Sequence, residues 1–284
     1  MTKKTISVII PTFNRKDTLT EAVNSVFAQT LLPDEIIIVD CGSQDGTKKA
    51  FYDYNEPIKF FETKIPGASA QRNFGISNAK GSYIAFLDDD DIWHPEKLNI
   101  QIGFLEQHPE ISMISSGNIR IGYDIKIDRP KWILGDLYKK LFMKSFISTP
   151  TVLVKREVFD RVGCFNENYK RAEDYDLWLR ISRCFHLAHT KTPLTWIRKS
   201  KNRLSDNKID LRNSAIKVIQ ENYDPEKISQ RKLNRRISGI EISLGRRYIK
   251  SGNKQEGKKQ FLSAIKRYPY SVRSYRYLIS TMLK

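Results

Sequence analysis

The sequence contains few cysteines and no long apolar stretch, and both shortages narrow the kinds of protein it can be. Its three cysteines, Cys41, Cys164 and Cys184, have neither the paired spacing of a disulfide framework nor that of a metal site. We therefore expect them to be thiols in a reducing compartment. The longest apolar stretches, such as 6–10 and 36–39, are far too short to span a bilayer. Since no secretory signal pattern is present either, the sequence predicts a cytoplasmic protein.

The sequence also lacks the low hydrophobic content that is typical of disordered chains. The 284 residues are 40% hydrophobic and include 14 Phe and 13 Tyr, which is typical of a globular protein. This length is sufficient for one large domain with a substantial core, or for two domains.

The net charge of +17 is unevenly distributed along the chain. Residues 201–284 contain 21 Lys and Arg against 7 Asp and Glu, a net charge of +14. The first 200 residues contain 28 against 25, a net charge of +3. This asymmetry indicates an acidic partner for the C-terminal region, either an anionic lipid surface or a nucleic acid.

Short apolar runs alternate with helical periodicity in the first part of the chain. The predicted strands are 6–10, 36–39, 58–61 and 83–87. The predicted helices follow Asp17 as an N-cap, cover 69–78 and begin at Pro95. This alternation favours an α/β fold with right-handed crossovers and a mostly parallel sheet.

Ligands of such sheets bind beyond the carboxyl ends of the strands. That rule brings three segments of this chain to one rim, namely 11–14, 40–43 and 88–91. We therefore look for the functional site there.

The pattern changes in the second part of the chain. Residues from about 110 to 200 are irregular, with a strand-like run at 151–154 and a helix beginning near Glu173. Beyond about 205 the chain turns helical and basic, and we predict two domains, 1–205 and 206–284. Seven residues of the second occur at the offsets of one tetratricopeptide-like helical hairpin: Leu244, Gly245, Tyr248, Gly257, Phe261, Ala264 and Pro269. Such a hairpin and an ordinary helical extension are alternative interpretations.

Four consecutive aspartates, Asp88 to Asp91, follow the predicted strand 83–87 directly. Carboxylates crowded at a strand end repel one another, and a divalent cation with a bound pyrophosphate would relieve that repulsion. A solvated acidic loop is the alternative. The position of the run at a strand end, followed by Trp93 and Pro95, favours a functional site.

A second acidic cluster, at 173–176, leads into the helix that begins near Glu173. On that helix Asp176 and Arg180 are four residues apart and could form an ordinary ion pair. Asp174 would point elsewhere and be available as a base. Taken alone, such an aspartate is more often structural than catalytic.

At these clusters the sequence resembles the family 2 glycosyltransferases, which have the GT-A fold, a Rossmann-like sheet flanked by helices. Five segments carry the resemblance, in this order along the chain: Ser7–Arg15, Val39–Thr47, Ala70–Gly75, Phe86–Pro95 and Glu173–Arg180. Each motif alone is weak, but five in the right order and at plausible spacings are specific. The resemblance covers roughly residues 5–200 and does not extend over the basic C-terminal region.

The resemblance implies transfer of a sugar from a nucleoside diphosphate to a glycan- or lipid-linked acceptor, with inversion at the anomeric carbon. Asp90 and Asp88 would hold Mn²⁺ or Mg²⁺, and Asp174 would be the general base. Arg72 would contact the nucleotide base or the diphosphate. The residues assigned to nucleotide-sugar binding are Pro11, Thr12, Phe13, Asn14, Arg15, Asp40, Cys41, Gly42, Ser43, Arg72, Asn73, Asp88 and Asp89.

The sequence departs from the family pattern in two places, and the first of them concerns the donor. Cys41 stands where many members have an acidic residue that reads the uracil imide, and a thiol is a poor acceptor for it. The segment 195–200 lacks the histidine often found there beside the arginine. His186 and His189 have a spacing that could mimic a metal pair, an interpretation we disfavour.

Two other functional classes compete with this interpretation. A nucleotidyltransferase would share the sheet, but we find no glycine-rich, basic activation loop near the first strand. A non-catalytic module could grip nucleic acid with the tyrosines of the basic tail, although no nucleic-acid motif is recognised. We therefore expect a nucleotide-sugar donor, an anionic membrane surface bound by the basic C-terminal region, and no nucleic acid. The predicted setting is cell-surface polysaccharide synthesis, in the cytoplasm or peripherally on the inner face of the plasma membrane.

Overall fold

The computed structural model describes residues 4–51, 57–64, 66–124, 130–198 and 208–282. The described residues belong to two compact units. The first unit draws its residues from 1–138, 146–168 and 177–201, and the second from 139–145, 169–176 and 202–284. The predicted boundary at 205 and 206 lies outside the described residues and stays a prediction.

Within the described residues, the first unit is built on one nine-stranded sheet. Its strands are β1 (Ile6–Thr12), β2 (Glu35–Asp40), β3 (Ile58–Glu62), β4 (Tyr83–Phe86), β5 (Ile92–Trp93), β6 (Ile111–Arg120), β7 (Trp132–Gly135), β8 (Val152–Lys155) and β9 (His186–Ile197). Their order is β3-β2-β1-β4-β8-β6-β9-β5, and β7 pairs with β9 beside this path.

The first four strands of that order, β3-β2-β1-β4, are parallel to one another. β1 and β2 are buried along their whole length. Val8 and Ile10 join the core on one face of the sheet, whereas Ile9 lies against Gly75 on the other. Burial on both faces explains why these strands are nearly continuous apolar runs. The four strands predicted from the sequence are confirmed.

The other half of the sheet is mixed. β8 pairs antiparallel with both β4 and β6, and β6 pairs parallel with β9 over an irregular register. β5 and β7 pair antiparallel with β9. β8 corresponds to the strand-like run predicted at 151–154, whereas β5, β6, β7 and β9 were not foreseen, because they fall in the predicted irregular region or beside the aspartate run.

The part of the chain that the structure describes contains eleven α-helices. They are α1 (Lys16–Phe27), α2 (Thr47–Phe51), α3 (Ala68–Asn78), α4 (Lys97–Gln107), α5 (Tyr138–Met143), α6 (Glu157–Val162), α7 (Glu173–Cys184), α8 (Lys208–Glu221), α9 (Gln230–Lys250), α10 (Lys254–Arg267) and α11 (Val272–Met282). Among them, no helix combines the length and the apolar content needed to cross a membrane.

The start of α1 differs from its prediction. The helix begins at Lys16, so Asp17 lies in the first turn and is not the N-cap. Arg15 occupies the N-cap position without a capping side chain. Instead, the Asp45 carboxylate accepts the Lys16 backbone N–H at 2.8 Å from outside the helix. A cap supplied by a residue 29 positions away leaves no local signal in the sequence.

Helices α8 to α11 confirm the predicted helical C-terminal region. α9 and α10 meet where Phe261 contacts Gly245, with Ile242 and Ala264 buried beside it. The Asn253 side chain caps α10 by accepting the Glu256 N–H at 3.0 Å. Close packing at a glycine agrees with a tetratricopeptide-like hairpin, which stays a prediction.

Two glycines of α9 give a matched test of this packing. A Cβ at Gly245 would lie 2.5 Å from the Phe261 ring, whereas a Cβ at Gly239 would meet nothing within 4 Å. We expect Gly245→Ala to lower the free energy of unfolding by about 1–2 kcal/mol, because overpacking outweighs the gain in helix propensity. Gly239→Ala should raise it by up to about 1 kcal/mol. Urea denaturation measures both, and equal stabilisation of the two variants would contradict this packing.

Candidate functional site

The parallel half of the sheet brings the ends of β1, β2 and β4 to one rim. Thr12, the last residue of β1, is in register with Asp40, the last residue of β2. β4 continues through Leu87, whose N–H donates to the Ile9 carbonyl at 3.1 Å, into Asp88. Parallel strands present their carboxyl ends at the same edge, which is why residues far apart in sequence meet here.

The aspartate run forms a tight turn immediately after β4. The Asp91 N–H donates to the Asp88 carbonyl at 3.1 Å. Asp89, Asp90 and Asp91 are 7%, 7% and 2% exposed. Burial of three successive carboxylates excludes the alternative of a solvated acidic loop, because buried carboxylates require partners.

Three aspartates of the run, Asp88, Asp89 and Asp91, bond to three different segments of the chain. Asp88 accepts from Arg72 at 2.6 Å, and Asp91 accepts from the Arg198 backbone N–H at 3.0 Å. Asp89 accepts from the Thr12 hydroxyl at 2.9 Å. The run therefore ties the end of β1, helix α3 and the end of β9 to the tip of β4.

Arg15 joins the two middle aspartates. Its Nη1 lies 3.0 Å from an oxygen of Asp89 and 3.0 Å from an oxygen of Asp90. Burial lowers the pKa of the Arg15 guanidinium, but the two carboxylates outweigh that effect and hold the pKa above its ordinary value. Two carboxylates thus converge on one cationic position at the rim.

Burial raises the pKa of Asp89 to about 6, although Arg15 and the Thr12 hydroxyl oppose the shift. The neighbouring charges of Asp90 and Asp88 add to the increase. Asp89 therefore changes its charge within the range in which cells and assays operate.

The loops after β1 and β2 are interlocked by polar contacts. Ser43 Oγ accepts the Asn14 N–H at 2.7 Å, and Asn14 Oδ1 accepts the Gln44 N–H at 2.7 Å. The buried Asp40 carboxylate accepts from both the backbone N–H, at 2.9 Å, and the hydroxyl of Ser43. Asn14 adopts φ +52°, a left-handed conformation that asparagine tolerates better than most residues. The two predicted nucleotide loops therefore form one fixed unit.

The remaining predicted residues of these loops lie around that unit. Pro11 is buried within β1, and Cys41 is a half-buried thiol whose N–H donates to the Thr12 carbonyl at 3.1 Å. Gly42 adopts φ +77°, which favours glycine. The Phe13 ring is 54% exposed, so an apolar surface is available beside the loop.

Helix α3 contributes two predicted residues with different surroundings. Arg72 is 5% exposed, bonds to Asp88, and lies over the Phe165 ring with its guanidinium carbon 5.4 Å from the ring centroid. Asn73 donates to the Phe165 carbonyl at 2.9 Å and to Glu167 at 2.8 Å, and accepts the Phe165 N–H at 2.9 Å. The Asn73 amide thus anchors the segment 165–167. Its predicted contact with the nucleotide stays a prediction.

Sequence reasoning missed two residues of the rim. Gln71 Nε2 donates to the carbonyls of Thr12 at 2.9 Å and Val39 at 3.1 Å, and so joins the ends of β1 and β2. Arg198 donates to the Asp90 carbonyl at 3.2 Å, in addition to its bond to Asp91, and pairs with Glu21. Gln71 is adjacent to Arg72 in the segment Ala70–Gly75, which carries part of the family resemblance. Arg198 lies in the segment 195–200, which departs from the family pattern because it lacks a histidine. Residues 199 and 200 of that segment lie outside the described residues.

Asp174 belongs to the second unit, in the first turn of α7. It is half-buried, and its carboxylate accepts the Tyr175 N–H at 2.7 Å. Asp176 accepts from Asn222 at 2.8 Å, while Arg180 donates to the Cys164 carbonyl at 2.7 Å. Each of the two residues predicted to form an ordinary ion pair therefore has another partner.

The carboxylates of the rim are the candidate ligands of a divalent metal. Among the described residues, no group of three or more His, Cys, Asp or Glu side chains is arranged to hold a metal ion. Mg²⁺ and Mn²⁺, however, bind through one or two carboxylates together with phosphate oxygens and water. Asp89 and Asp90 converge on the Arg15 guanidinium and so bring together the two carboxylates that such an ion would require. The residues fit a metal that is completed by a diphosphate.

The disfavoured histidine pair has other surroundings. A ring nitrogen of His189 lies 3.0 Å from Ser115 Oγ, and the ring centroid lies 4.8 Å from that of Phe146. Burial lowers the pKa of His189 to about 4. His189 is therefore a neutral ring packed on the sheet, whereas His186, at the start of β9, is exposed.

Comparison with solved structures confirms the predicted GT-A fold. The S. aureus TarS fragment 1–349, in its complex with UDP-GlcNAc, has a TM-score of 0.70 and 17% identity, covering 98% of this chain and 89% of that one. The mannosyltransferase PcManGT of Pyrobaculum calidifontis, in complex with GDP-Man and Mn²⁺, has a TM-score of 0.64 and 17% identity, covering 99% and 80%.

Sequence comparison identifies related enzymes. WfgD of Escherichia coli, a UDP-Glc:α-D-GlcNAc-diphosphoundecaprenol β-1,3-glucosyltransferase, is 29% identical over 229 residues, which cover 77% of this chain and 84% of that protein. Uncharacterized glycosyltransferases of Rickettsia species also match, and the chain spans 27% to 58% of their lengths.

The model of the glycosyl transferase family 2 matches residues 7–175. This span includes the interlocked loops, the aspartate run and the start of α7. Because the match extends over more than half of the sequence, the chain belongs to glycosyl transferase family 2.

Proposed function

We propose that this protein transfers a sugar from a nucleoside diphosphate to a hydroxyl group of a glycan- or lipid-linked acceptor in cell-surface polysaccharide synthesis. One observation carries the proposal: Asp89 and Asp90 are buried at the tip of β4, and their carboxylates contact the same cation, the Arg15 guanidinium. A site that concentrates carboxylates around a cation suits a metal-bound diphosphate. WfgD, which acts on a diphosphoundecaprenol-linked sugar, supports the choice of acceptor.

The donor binds across the carboxyl ends of β1, β2 and β4. The interlocked loops 11–15 and 40–43 receive the nucleoside, and Asp88 or Asp89 receives the ribose hydroxyls. Arg72 and Arg15 are the cations nearest to the aspartates, and their planar forks suit a diphosphate. Asn73 completes the nucleotide-sugar site from helix α3.

The identity of the nucleotide depends on the loop at Cys41. Its thiol is a weak acceptor for the imide of uracil, and both oxygens of the neighbouring Asp40 already accept from Ser43. The Phe13 ring offers a stacking surface that does not distinguish one base from another. Proteins of this fold bind UDP-GlcNAc in one case and GDP-Man in another, so both classes of donor are candidates.

Asp90, which already lies at the cationic position that Arg15 occupies, and the neighbouring Asp88 would hold the divalent metal, Mn²⁺ or Mg²⁺. When bound, the ion neutralises the charge that develops on the departing diphosphate. Arg15, which lies between Asp89 and Asp90, would then exchange Asp90 for the diphosphate as its partner. Arg198 holds the Asp90 carbonyl and the Asp91 carboxylate, and so keeps the turn of the run in place.

Asp174 acts as the general base. The acceptor oxygen attacks the anomeric carbon, the bond from that carbon to the phosphate oxygen breaks, and the hydroxyl proton passes to the Asp174 carboxylate. The attack in line with the leaving diphosphate inverts the anomeric configuration. Support comes from the local backbone: Ala172, two residues earlier, adopts φ +60°, a strained conformation that tends to occur at functional sites.

The acceptor places the protein at a membrane. A lipid-linked acceptor is confined to the bilayer surface, and the basic C-terminal region supplies an attraction to anionic lipid of about 1 kcal/mol for each basic residue close to it. The proposed location is therefore the inner face of the plasma membrane, with peripheral attachment.

The first prediction concerns donor binding. A thermal-shift and calorimetric screen of UDP-, GDP- and dTDP-sugars should find one class that binds only with Mn²⁺ or Mg²⁺. Asp90→Asn should weaken that binding at least about tenfold, since a neutral amide is a poor metal ligand. The control is Asp17→Asn, because the Asp17 side chain is 92% exposed. Absence of binding by every donor to folded protein would overturn the proposed function.

The second prediction concerns the general base. With the donor identified, Asp174→Asn should leave donor affinity unchanged but lower the rate of donor cleavage about 10²–10⁴-fold. Release of nucleoside diphosphate, with water or an acceptor as the nucleophile, measures that rate. The control is Asp160→Asn, which makes the same change at an exposed position of α6. A fully active Asp174→Asn variant would show that another group is the base, and release of pyrophosphate would indicate a nucleotidyltransferase.

The third prediction concerns pH. Because the pKa of Asp89 is raised to about 6, its carboxylate is present above that pH and is lost as the pH falls through it. Because Asp89 belongs to the proposed nucleotide-sugar site, the affinity for a nucleotide sugar should therefore fall by up to about tenfold per pH unit below about pH 6. A nucleotide sugar is the proper ligand here, because its diphosphate does not titrate in this range. The Asp89→Asn variant should bind the nucleotide sugar weakly and without this pH dependence. If the wild-type affinity stays constant down to pH 5, the assignment of Asp89 to the nucleotide-sugar site is contradicted.

A further inference from the structure

Helix α11 carries an exposed apolar stripe. Val272, Tyr275, Ile279 and Met282 are 79%, 41%, 56% and 66% exposed. Their spacing of three, four and three residues places them on one side of the helix. Isolated apolar side chains are common on protein surfaces, but a contiguous row of four on one helix indicates a binding surface.

The stripe is not the side by which α11 packs on its own unit. Ser274 and Thr281 are buried, and Tyr277 stacks on Phe261 with ring centroids 5.7 Å apart. The Arg246 guanidinium carbon lies 5.1 Å from the centroid of the Tyr277 ring. The inner side of α11 is therefore occupied, and the stripe is an additional apolar surface.

The charge around α11 restricts the partner. Residues 230–282 contain 14 Lys and Arg against 2 Asp and Glu, a net charge of +12. One of the two acids, Glu241, is buried and bonded to Arg267 at 3.0 Å. On α11 itself Arg273 and Arg276 are exposed and lie on the side of the helix next to the stripe. The surface thus combines apolar and cationic groups with almost no compensating acid.

Helix α10 repeats this combination. Leu262 is 55% exposed, and Lys258, Lys259 and Lys266 lie three or four residues from it on the same side of the helix. Lys259 and Lys266 are exposed and Lys258 is partly exposed. Apolar side chains ringed by basic ones therefore occur on two successive helices.

An anionic bilayer satisfies both features. Apolar side chains enter the boundary between head groups and acyl chains while arginines and lysines contact lipid phosphates. A second copy of this region would bring a net charge of +12 against +12 and be repelled. A nucleic acid would attract the basic residues but leave the apolar stripe in water.

We propose that α11 lies in the plane of an anionic membrane with Val272, Tyr275, Ile279 and Met282 inserted and Arg273 and Arg276 at the lipid phosphates. The proposal rests on the proposed function with a lipid-linked acceptor, which the enzyme must reach at the membrane. It adds that attachment is partly hydrophobic and localised to one helix. A purely electrostatic attachment would be spread over the whole basic surface.

Vesicle co-sedimentation of the full chain tests the proposal. The vesicles are phosphatidylcholine with and without phosphatidylglycerol, at physiological and at high salt. The protein should bind the anionic vesicles and keep measurable binding at high salt, because insertion of apolar groups is not screened. The double substitution Ile279→Asn and Met282→Asn should weaken binding at least about tenfold. Ser280→Asn is the control, because it places the same residue at an exposed position of α11 outside the stripe.

Several results would overturn the proposal. Unchanged binding of the double variant, or complete loss of wild-type binding at high salt, would leave only electrostatic attachment. Sedimentation equilibrium that shows a dimer disrupted by the double substitution would identify a second copy as the partner. Salt-sensitive binding to duplex DNA without vesicle binding would identify a nucleic acid. Circular dichroism establishes that the variants are folded, and nucleotide-sugar binding without vesicles tests the proposed function separately.

Discussion

The contact of Arg15 with Asp89 and Asp90 is the interaction on which the rim depends. Two buried carboxylates share one guanidinium nitrogen at 3.0 Å each, and without that cation their desolvation and mutual repulsion would favour protonation. Even with it, the pKa of Asp89 is about 6. The negative charge of the site therefore costs free energy, and binding of a metal cation with a diphosphate would offset that cost. Arg15 is itself fixed, because it immediately precedes α1, whose first N–H is capped by Asp45.

Around that contact, most bonds join segments that are distant in sequence. Gln71 bonds to the ends of β1 and β2, Asn14 bonds to the loop after β2, and Arg198 bonds to the aspartate turn from the end of β9. No two of these segments are neighbours along the chain. Their meeting depends on the parallel register of Thr12 with Asp40, which brings both strands to an end at the same level. The sheet therefore fixes the positions of the loops at the rim, because the loops begin where its strands end.

The sequence was sufficient to predict the parallel half of the fold and most of the rim, because those strands are continuous apolar runs that end in short polar motifs. It was insufficient for β6, β7 and β9, because the register of β6 with β9 is irregular and the pairing of all three strands is decided by long-range contacts. The Asp17 cap was wrong because the true cap, Asp45, comes from another loop. Arg198 escaped attention for a similar reason, since two of its bonds to the rim go to or from backbone atoms and need no recognisable motif.

Backbone strain occurs beside two groups of residues that the proposed mechanism uses. Among the described residues, the non-glycine residues with positive φ are Asn14 and Ala172. Asn14 lies in the predicted nucleotide loop, where its side chain bonds to the Gln44 N–H and thereby offsets the strain. Ala172 has no side-chain polar group to do this, and a left-handed alanine costs about 1–2 kcal/mol. Its carbonyl accepts the Asp176 N–H at 3.1 Å, so the strained turn sets where α7 begins and hence the position of Asp174 in its first turn. Glycine at this position would relieve the strain. The presence of alanine is explained if the placement of the Asp174 carboxylate matters more than the stability that the strained backbone costs.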